Sequence, residues 1–252
     1  MTLAMLVFPV VRLLPGTAEG GQLRAQWLIH QAFRFFTWFM EVLGLIRVSR
    51  VGTERLRRSA PCVVVANHPT LIDVVLLIAE MPQADCVVKK ASWRNRFLRG
   101  VVRGAGYIPN DDGPALVEAA AARLRAGRRV LLFPEGTRSP WGRLGDFRRG
   151  AARIALESGC DLLPVMITCE PPTLRKGEKW YHVPDRTAHL TLEVQAPITT
   201  RGYPEHGTNR ALAARRLTDD LRTVFERRLG SGPCPRAVSP DDRGIELAER
   251  TP

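Results

Sequence analysis

His68 and Asp73 lie five residues apart in Asn67-His68-Pro69-Thr70-Leu71-Ile72-Asp73, and their types could do chemistry together. An imidazole titrates near neutral pH. A carboxylate on one ring nitrogen fixes the tautomer and stabilises the cation that forms when the other nitrogen takes a proton. Spacing decides whether they can meet. Within one continuous helix of 3.6 residues per turn, a five-residue offset turns the two side chains about 140° apart. A helix that starts at Pro69 and Thr70, where a missing N–H is tolerated, leaves His68 in the preceding turn and lets Asp73 reach back to it. The stretch contains no Ser or Cys nucleophile, so such a base would act directly on a substrate hydroxyl. Thr70-x-x-Asp73 also reads as a capping-box variant, a structural role.

A second stretch, Phe133-Pro134-Glu135-Gly136-Thr137-Arg138-Ser139, sets opposite charges on Glu135 and Arg138 beside a glycine that lets backbone approach a ligand. Arg138 has the fork geometry to hold a phosphate through two parallel N–H bonds. The structural alternative is an ordinary Pro-Glu-Gly turn.

Both stretches follow predicted strands. Cys62 to Ala66 is short, apolar and β-branched, as a buried strand requires, and the apolar run from Leu71 to Ala79 predicts a buried helix. Further strands are expected at 85–89, 107–109, 130–133, 162–168 and 189–195, with helices at 93–103, 115–126, 150–157 and 209–229. This alternation predicts an α/β domain with a largely parallel sheet flanked by helices. In such folds ligand sites gather at the carboxyl ends of strands, which is where both motifs fall.

Ahead of that domain, residues 1–14 are apolar but shorter than the ~20 residues that cross a bilayer, and they lack the basic start of a signal peptide. Residues 22–46 predict a helix with one narrow polar stripe, Gln26, His30, Arg34, Thr37 and Glu41, on an otherwise apolar and aromatic surface. The preferred reading is a helix in or dipping into a membrane interface, partnered by the first segment; the alternative is a helix docked on its own core. The following arginines, Arg47, Arg50, Arg55, Arg57 and Arg58, would then meet anionic headgroups. The expected organisation is a membrane-associating segment at 1–46, the α/β domain at 47–229 and a disordered tail at 230–252 rich in Pro, Gly, Ser and charge.

The net charge of +12 is concentrated in residues 1–160, which hold 23 basic against 12 acidic residues. That favours anionic partners: phosphate-bearing ligands, an acidic carrier protein or an anionic membrane surface. The aromatic residues are not interleaved with the arginine clusters, which argues against nucleic acid. Five cysteines without C-x-x-C pairing or His partners at ligand spacing predict no metal site and a reducing, cytosol-facing compartment. The protein is therefore expected on the cytoplasmic face of the cell membrane.

Together, Asn67-His68-Pro69-Thr70-Leu71-Ile72-Asp73 and Phe133-Pro134-Glu135-Gly136-Thr137-Arg138-Ser139 resemble the signature blocks of the glycerolipid acyltransferase family, the 1-acylglycerol-3-phosphate acyltransferases and their relatives. Lys89-Lys90-Ala91-Ser92-Trp93, Gly106-Tyr107-Ile108-Pro109 and Leu163-Pro164-Val165 extend the resemblance, which spans roughly residues 45 to 200. It implies transfer of a fatty acyl group from coenzyme A or acyl carrier protein to the hydroxyl of a membrane lipid acceptor, with no cofactor beyond the thioester co-substrate. It further implies His68 as base, Asp73 as its orienter, and Glu135, Gly136, Thr137 and Arg138 as acceptor-positioning residues, with Lys90 a phosphate-binding candidate. Many relatives carry I-x-D-R after the glycine; here Ile108-Pro109-Asn110-Asp111-Asp112 puts Asp112 at the arginine position. Either Arg138 with Lys90 or Arg103 compensates, or the acceptor is not a simple lysophosphatidic acid; alternatively Asp112 points away as a helix-entry residue ahead of Pro114, where its charge favours the helix dipole. A rival enzyme class is a thioesterase-like hydrolase that uses the same pair to activate water.

Overall fold

The computed structural model describes residues 17–58, 60–95, 98–110, 113–140, 143–179, 181, 184–203 and 209–230. The expected partner segment at 1–14, Asp111, Asp112 and the expected tail beyond residue 230 lie outside these described residues.

The chain runs α1 (Ala18–Val42), β1 (Ile46–Val51), α2 (Glu54–Arg58), β2 (Val63–Ala66), α3 (Asp73–Glu80), β3 (Asp85–Lys89), α4 (Lys90–Arg94), α5 (Arg99–Gly104), β4 (Ile108–Asn110), α6 (Pro114–Arg125), β5 (Val130–Leu132), α7 (Gly150–Ser158), β6 (Leu162–Glu170), β7 (Ala188–Val194) and α8 (Asn209–Gly230). The seven strands form one sheet in the order β1-β7-β6-β2-β5-β3-β4, parallel throughout except for the β6–β7 pair. The expected α/β architecture with a largely parallel sheet is therefore present.

Strand β2 sits in the middle with all four residues buried, as befits a Val-rich parallel strand covered on both faces. Its side chains alternate between two cores. Val64 and Ala66 pack with Leu76, Leu77 and Ile29 on the face that carries α1 and α3, while Val63 and Val65 pack with Leu116, Ile154 and Phe225 on the face of α6, α7 and α8.

Three elements depart from the sequence-based boundaries. The expected helix at 93–103 is two short helices, α4 and α5, separated at Asn95, whose backbone is extended. The helix expected to run to residue 46 ends at Val42, and Ile46–Val51 is a strand paired in parallel with β7, unmarked by alternation. The arginines of that region are not held for headgroups as a set: Arg50 pairs with Glu41 and Glu80, Arg57 with Glu80, and Arg55 donates to the Val194 carbonyl.

Helix α1 turns three members of its polar stripe inward and leaves Arg34 exposed. Gln26, His30 and Thr37 are buried, and each hydrogen-bonds a carbonyl: Ala105 O at 2.9 Å, Ile78 O at 2.8 Å and Phe33 O at 2.9 Å. Gln26 also donates to Asp85 Oδ1 at 3.0 Å, and Arg128 grips both oxygens of that fully buried carboxylate at 2.8 Å. Burial pushes the Asp85 carboxyl above the ordinary range, and Arg128 and Arg123 pull it back. Removing one partner of a buried pair strands the other charge. Arg128→Met is thus expected to cost about 3–5 kcal/mol in chemical denaturation, whereas a loss below about 1 kcal/mol would mean that the pair does not secure this corner of the sheet.

Candidate active site

The first motif begins where β2 stops. Asn67 lends its side-chain amide to the sheet in place of a peptide group: Nδ2 donates to Ile167 O at 2.8 Å and Oδ1 accepts from Ile167 N at 2.7 Å. The main chain is then free to turn through His68, Pro69 and Thr70. Helix α3 starts at Asp73, later than the Pro69–Thr70 start expected from the sequence, and its N-cap, Ile72, offers no capping side chain. Asp73, the first residue of the helix, instead reaches back to the turn before it. Its Oδ2 accepts from Thr70 N at 2.7 Å and from His68 Nδ1 at 2.8 Å, and its Oδ1 accepts from Thr70 Oγ1 at 2.5 Å. One carboxylate thereby closes the turn and orients the imidazole, so the structural and chemical readings both apply.

Because a carboxylate only accepts, Nδ1 carries the hydrogen in neutral His68, which leaves the Nε2 lone pair as the basic site. Nε2 has no hydrogen-bond partner among the described residues. The ring is stacked on Phe133, with centroids 4.3 Å apart, which restricts its rotation.

The second motif clamps the first. Glu135 Oε1 accepts from His68 N at 3.3 Å and Ser139 Oγ at 2.5 Å; Ser139 Oγ accepts from His68 N at 3.1 Å, and Ser139 N donates to His68 O at 2.7 Å. The second oxygen of Glu135 accepts from Gly145 N at 2.7 Å, so close that a Cβ at Gly145 would lie 2.6 Å from it. The buried Glu135 engages both oxygens with protein donors and holds the His68 backbone; it lines the neighbouring groove rather than the cavity at His68. Gly136 adopts φ +64°, and Arg148 lies across it, 3.3 Å from where a Cβ would be.

His68 lines a cavity of about 460 Å3 whose walls include Gly136, Thr137 and Arg138 from the second motif. Lys89, Arg148 and Lys176 add positive charge, no carboxylate lines it among the described residues, and Val74, Leu132 and Ile154 contribute apolar lining. Lys90 is not part of it: as the first residue of α4 it is exposed, and the preceding residue, Lys89 at the end of β3, takes the place at the wall. Arg103 is exposed on α5 and likewise absent from the walls. Arg138 spends Nη1 on the carbonyls of Leu174 and Arg175, at 3.1 and 2.8 Å, so its fork is partly occupied. Sequence reasoning missed Lys176, which stands in an irregular loop without any pattern, and Arg148, whose place beside the first turn of α7 was the available signal.

Comparison with known proteins agrees with this architecture. The Acyltransferase family model matches residues 47–168. The chain is 24% identical over 241 residues to mouse 1-acyl-sn-glycerol-3-phosphate acyltransferase alpha, covering 92% of this chain and 80% of that one. It is 27% identical over 149 residues to the Pseudomonas aeruginosa 1-acyl-sn-glycerol-3-phosphate acyltransferase, covering 56% and 57%. In fold it is similar to the crystal structure of the 1-acyl-sn-glycerophosphate (LPA) acyltransferase PlsC from Thermotoga maritima, with TM-score 0.63, 21% identity and 91% and 88% of the two chains covered. The protein is an enzyme of the acyltransferase class. Within that class the chain is similar to the 1-acyl-sn-glycerol-3-phosphate acyltransferases, and the family model covers nearly half of it.

Asp73 has no exposed surface. Burial raises its carboxyl above the usual carboxylate range, against the lowering effect of His68 and Thr70. A raised folded-state value means that the unfolded chain loses this proton first, so stability falls as pH rises through the interval between the two values. Asp73→Asn removes that cost. The variant also replaces one of the two acceptor oxygens, so the signature expected is a flatter decline of the unfolding temperature above the ordinary carboxylate range; an unchanged pH slope would contradict the sign of this effect.

Proposed function

We propose that the protein transfers a fatty acyl group from a thioester of coenzyme A or acyl carrier protein to the hydroxyl of a lysophospholipid, foremost 1-acylglycerol-3-phosphate, in phospholipid biosynthesis. The observation that carries this reading is the His68–Asp73 pair, with Nδ1 held and Nε2 open, on a cavity whose charged lining residues are all cationic and whose other lining is largely apolar.

In this mechanism His68 Nε2 takes the proton of the acceptor hydroxyl as its oxygen attacks the thioester carbonyl carbon. The tetrahedral intermediate collapses with cleavage of the C–S bond, and the imidazolium, stabilised by Asp73, returns the proton to the departing thiolate. A covalent acyl-enzyme is not required. Cys86 lines the cavity, yet burial and then Asp85 push its thiol up to about 12, so it stays protonated and a poor nucleophile. Lys89, Arg138 and Lys176 are suited to the acceptor phosphate, and an all-cationic wall favours a phosphate-bearing acceptor over a phosphate-free one. His68→Ala is expected to lower turnover by ~10² to 10⁴ in a folded, vesicle-bound sample; near-normal turnover would rule out the base role.

The acceptor is membrane-resident, and α1 supports docking at the interface. Trp27, Phe35 and Trp38 are 51%, 63% and 55% exposed, and Phe36, Phe39, Val42 and Leu43 continue the apolar surface. No helix among the described residues is long and apolar enough to cross a membrane, so α1 is read as lying on the bilayer. The four described cysteines are all free, which suits a reducing compartment and hence the cytoplasmic face. Burying one large apolar side chain contributes about 1.5–3 kcal/mol, so Phe35→Glu with Trp38→Glu should weaken vesicle partitioning at least tenfold without lowering stability. Flotation equal to the wild type would exclude this face as the docking surface.

A further inference from the structure

The His68 cavity continues into a second, shallower groove of about 440 Å3, joined to it through Leu116, Arg148 and Gly150, which line both. Arg149, Arg153, Val117 and Phe147 complete much of its wall, and no carboxylate lines it among the described residues. The exposed Arg149 and Arg153 make no ion pair or side-chain hydrogen bond among the described residues. Other exposed arginines, Arg34, Arg47 and Arg103 among them, are likewise unpaired among the described residues, but Arg149 and Arg153 share a groove that opens into the site. Charge left uncompensated in a groove that runs into the site calls for an anionic ligand. A different groove beside the cavity, along Arg175 and Lys176, is lined by Glu135, Asp146 and Glu178 and is less suited to one.

Position separates this groove from the membrane. Leu116 and the first turn of α7 belong to the sheet face of α6, α7 and α8, whereas α1 and its aromatic surface lie on the face of α3. A soluble co-substrate and a bilayer-embedded one can then reach His68 without sharing an approach.

We propose that the groove of Arg148, Arg149 and Arg153 seats the phosphate-bearing nucleotide head of a coenzyme A thioester donor, while the lipid acceptor arrives from the α1 and α3 side. The arginines would hold the phosphates through charge-assisted bonds, and Val117 and Phe147 offer apolar surface to the base. This rests on the acyl-transfer reading and adds the seat of the donor to it.

The test is steady-state kinetics of wild type, Arg149→Ala, Arg153→Ala and the double variant on vesicles that contain lysophosphatidic acid. Three donors with the same acyl chain are compared: the coenzyme A thioester, the phosphate-free N-acetylcysteamine thioester and the acyl carrier protein thioester. Both side chains are exposed, so circular dichroism should show an unchanged fold. Losing one bond to a charged group is expected to raise KM for the coenzyme A thioester roughly tenfold per variant, with the preference in kcat/KM over the N-acetylcysteamine thioester collapsing by a similar factor. An unchanged preference overturns the proposal, and so does a loss confined to the acyl carrier protein donor, which would make the groove a protein-docking surface. A wild type that transfers from none of the three defeats the acyl-transfer reading itself, and the donor groove with it.

Discussion

A carboxylate with no exposed surface must find all its compensation among its neighbours, and the local structure around Asp73 is built on that requirement. Its two oxygens take the Thr70 amide, the Thr70 hydroxyl and the His68 imidazole. Those three bonds close the turn, begin α3 in the absence of a capping side chain at Ile72 and fix one imidazole tautomer. Burial opposes the charged form, so the arrangement trades stability for a placed and polarised base. Loss of any of the donors would be felt by both helix and imidazole.

The turn would still be free to tilt if it were attached only through its own helix. Two strands prevent that. Asn67 ties the end of β2 to Ile167 on β6, and the Glu135–Ser139 segment after β5 grips His68 through both its amide and its carbonyl. Because β5 and β6 flank β2, the imidazole is held from both sides of its own strand. This makes sense of the short separation between Gly145 and Glu135, since a carboxylate that holds a backbone must be approached by backbone in turn.

Helix α1 inverts the usual rule for a surface helix. Gln26, His30 and Thr37 face the protein and satisfy their hydrogen bonds there, while Trp27, Phe35, Phe36, Trp38 and Phe39 stay outside. Polar groups that are hydrogen-bonded inside cost little, and the aromatic face is then left to an apolar solvent. The same helix packs on α3, whose first residue is Asp73, so the proposed membrane-facing surface and the proposed base are separated by a single layer of helices.

The sequence alone determined the α/β class, the largely parallel sheet and the two strand-end motifs, and it allowed the His68–Asp73 contact that the turn before α3 makes. These follow from hydrophobic period and from spacing along the chain, both local quantities. It could not determine that Glu135 engages both oxygens with protein donors or that Lys89 rather than Lys90 borders the cavity, because a side chain's direction at a strand end depends on where the next turn begins. Nor could it bring together Arg138 and Arg148, ten residues apart in the irregular connection between β5 and α7, with Lys176 from the connection between β6 and β7. Strand β1 was hidden for a related reason: Ile46–Val51 carries two arginines, and only pairing with β7 and the ion pairs of Arg50 to Glu41 and Glu80 make it a strand. Tertiary structure decides such matters because contacts between segments distant in sequence, and the charges they leave compensated or bare, leave no mark on the pattern of any one segment.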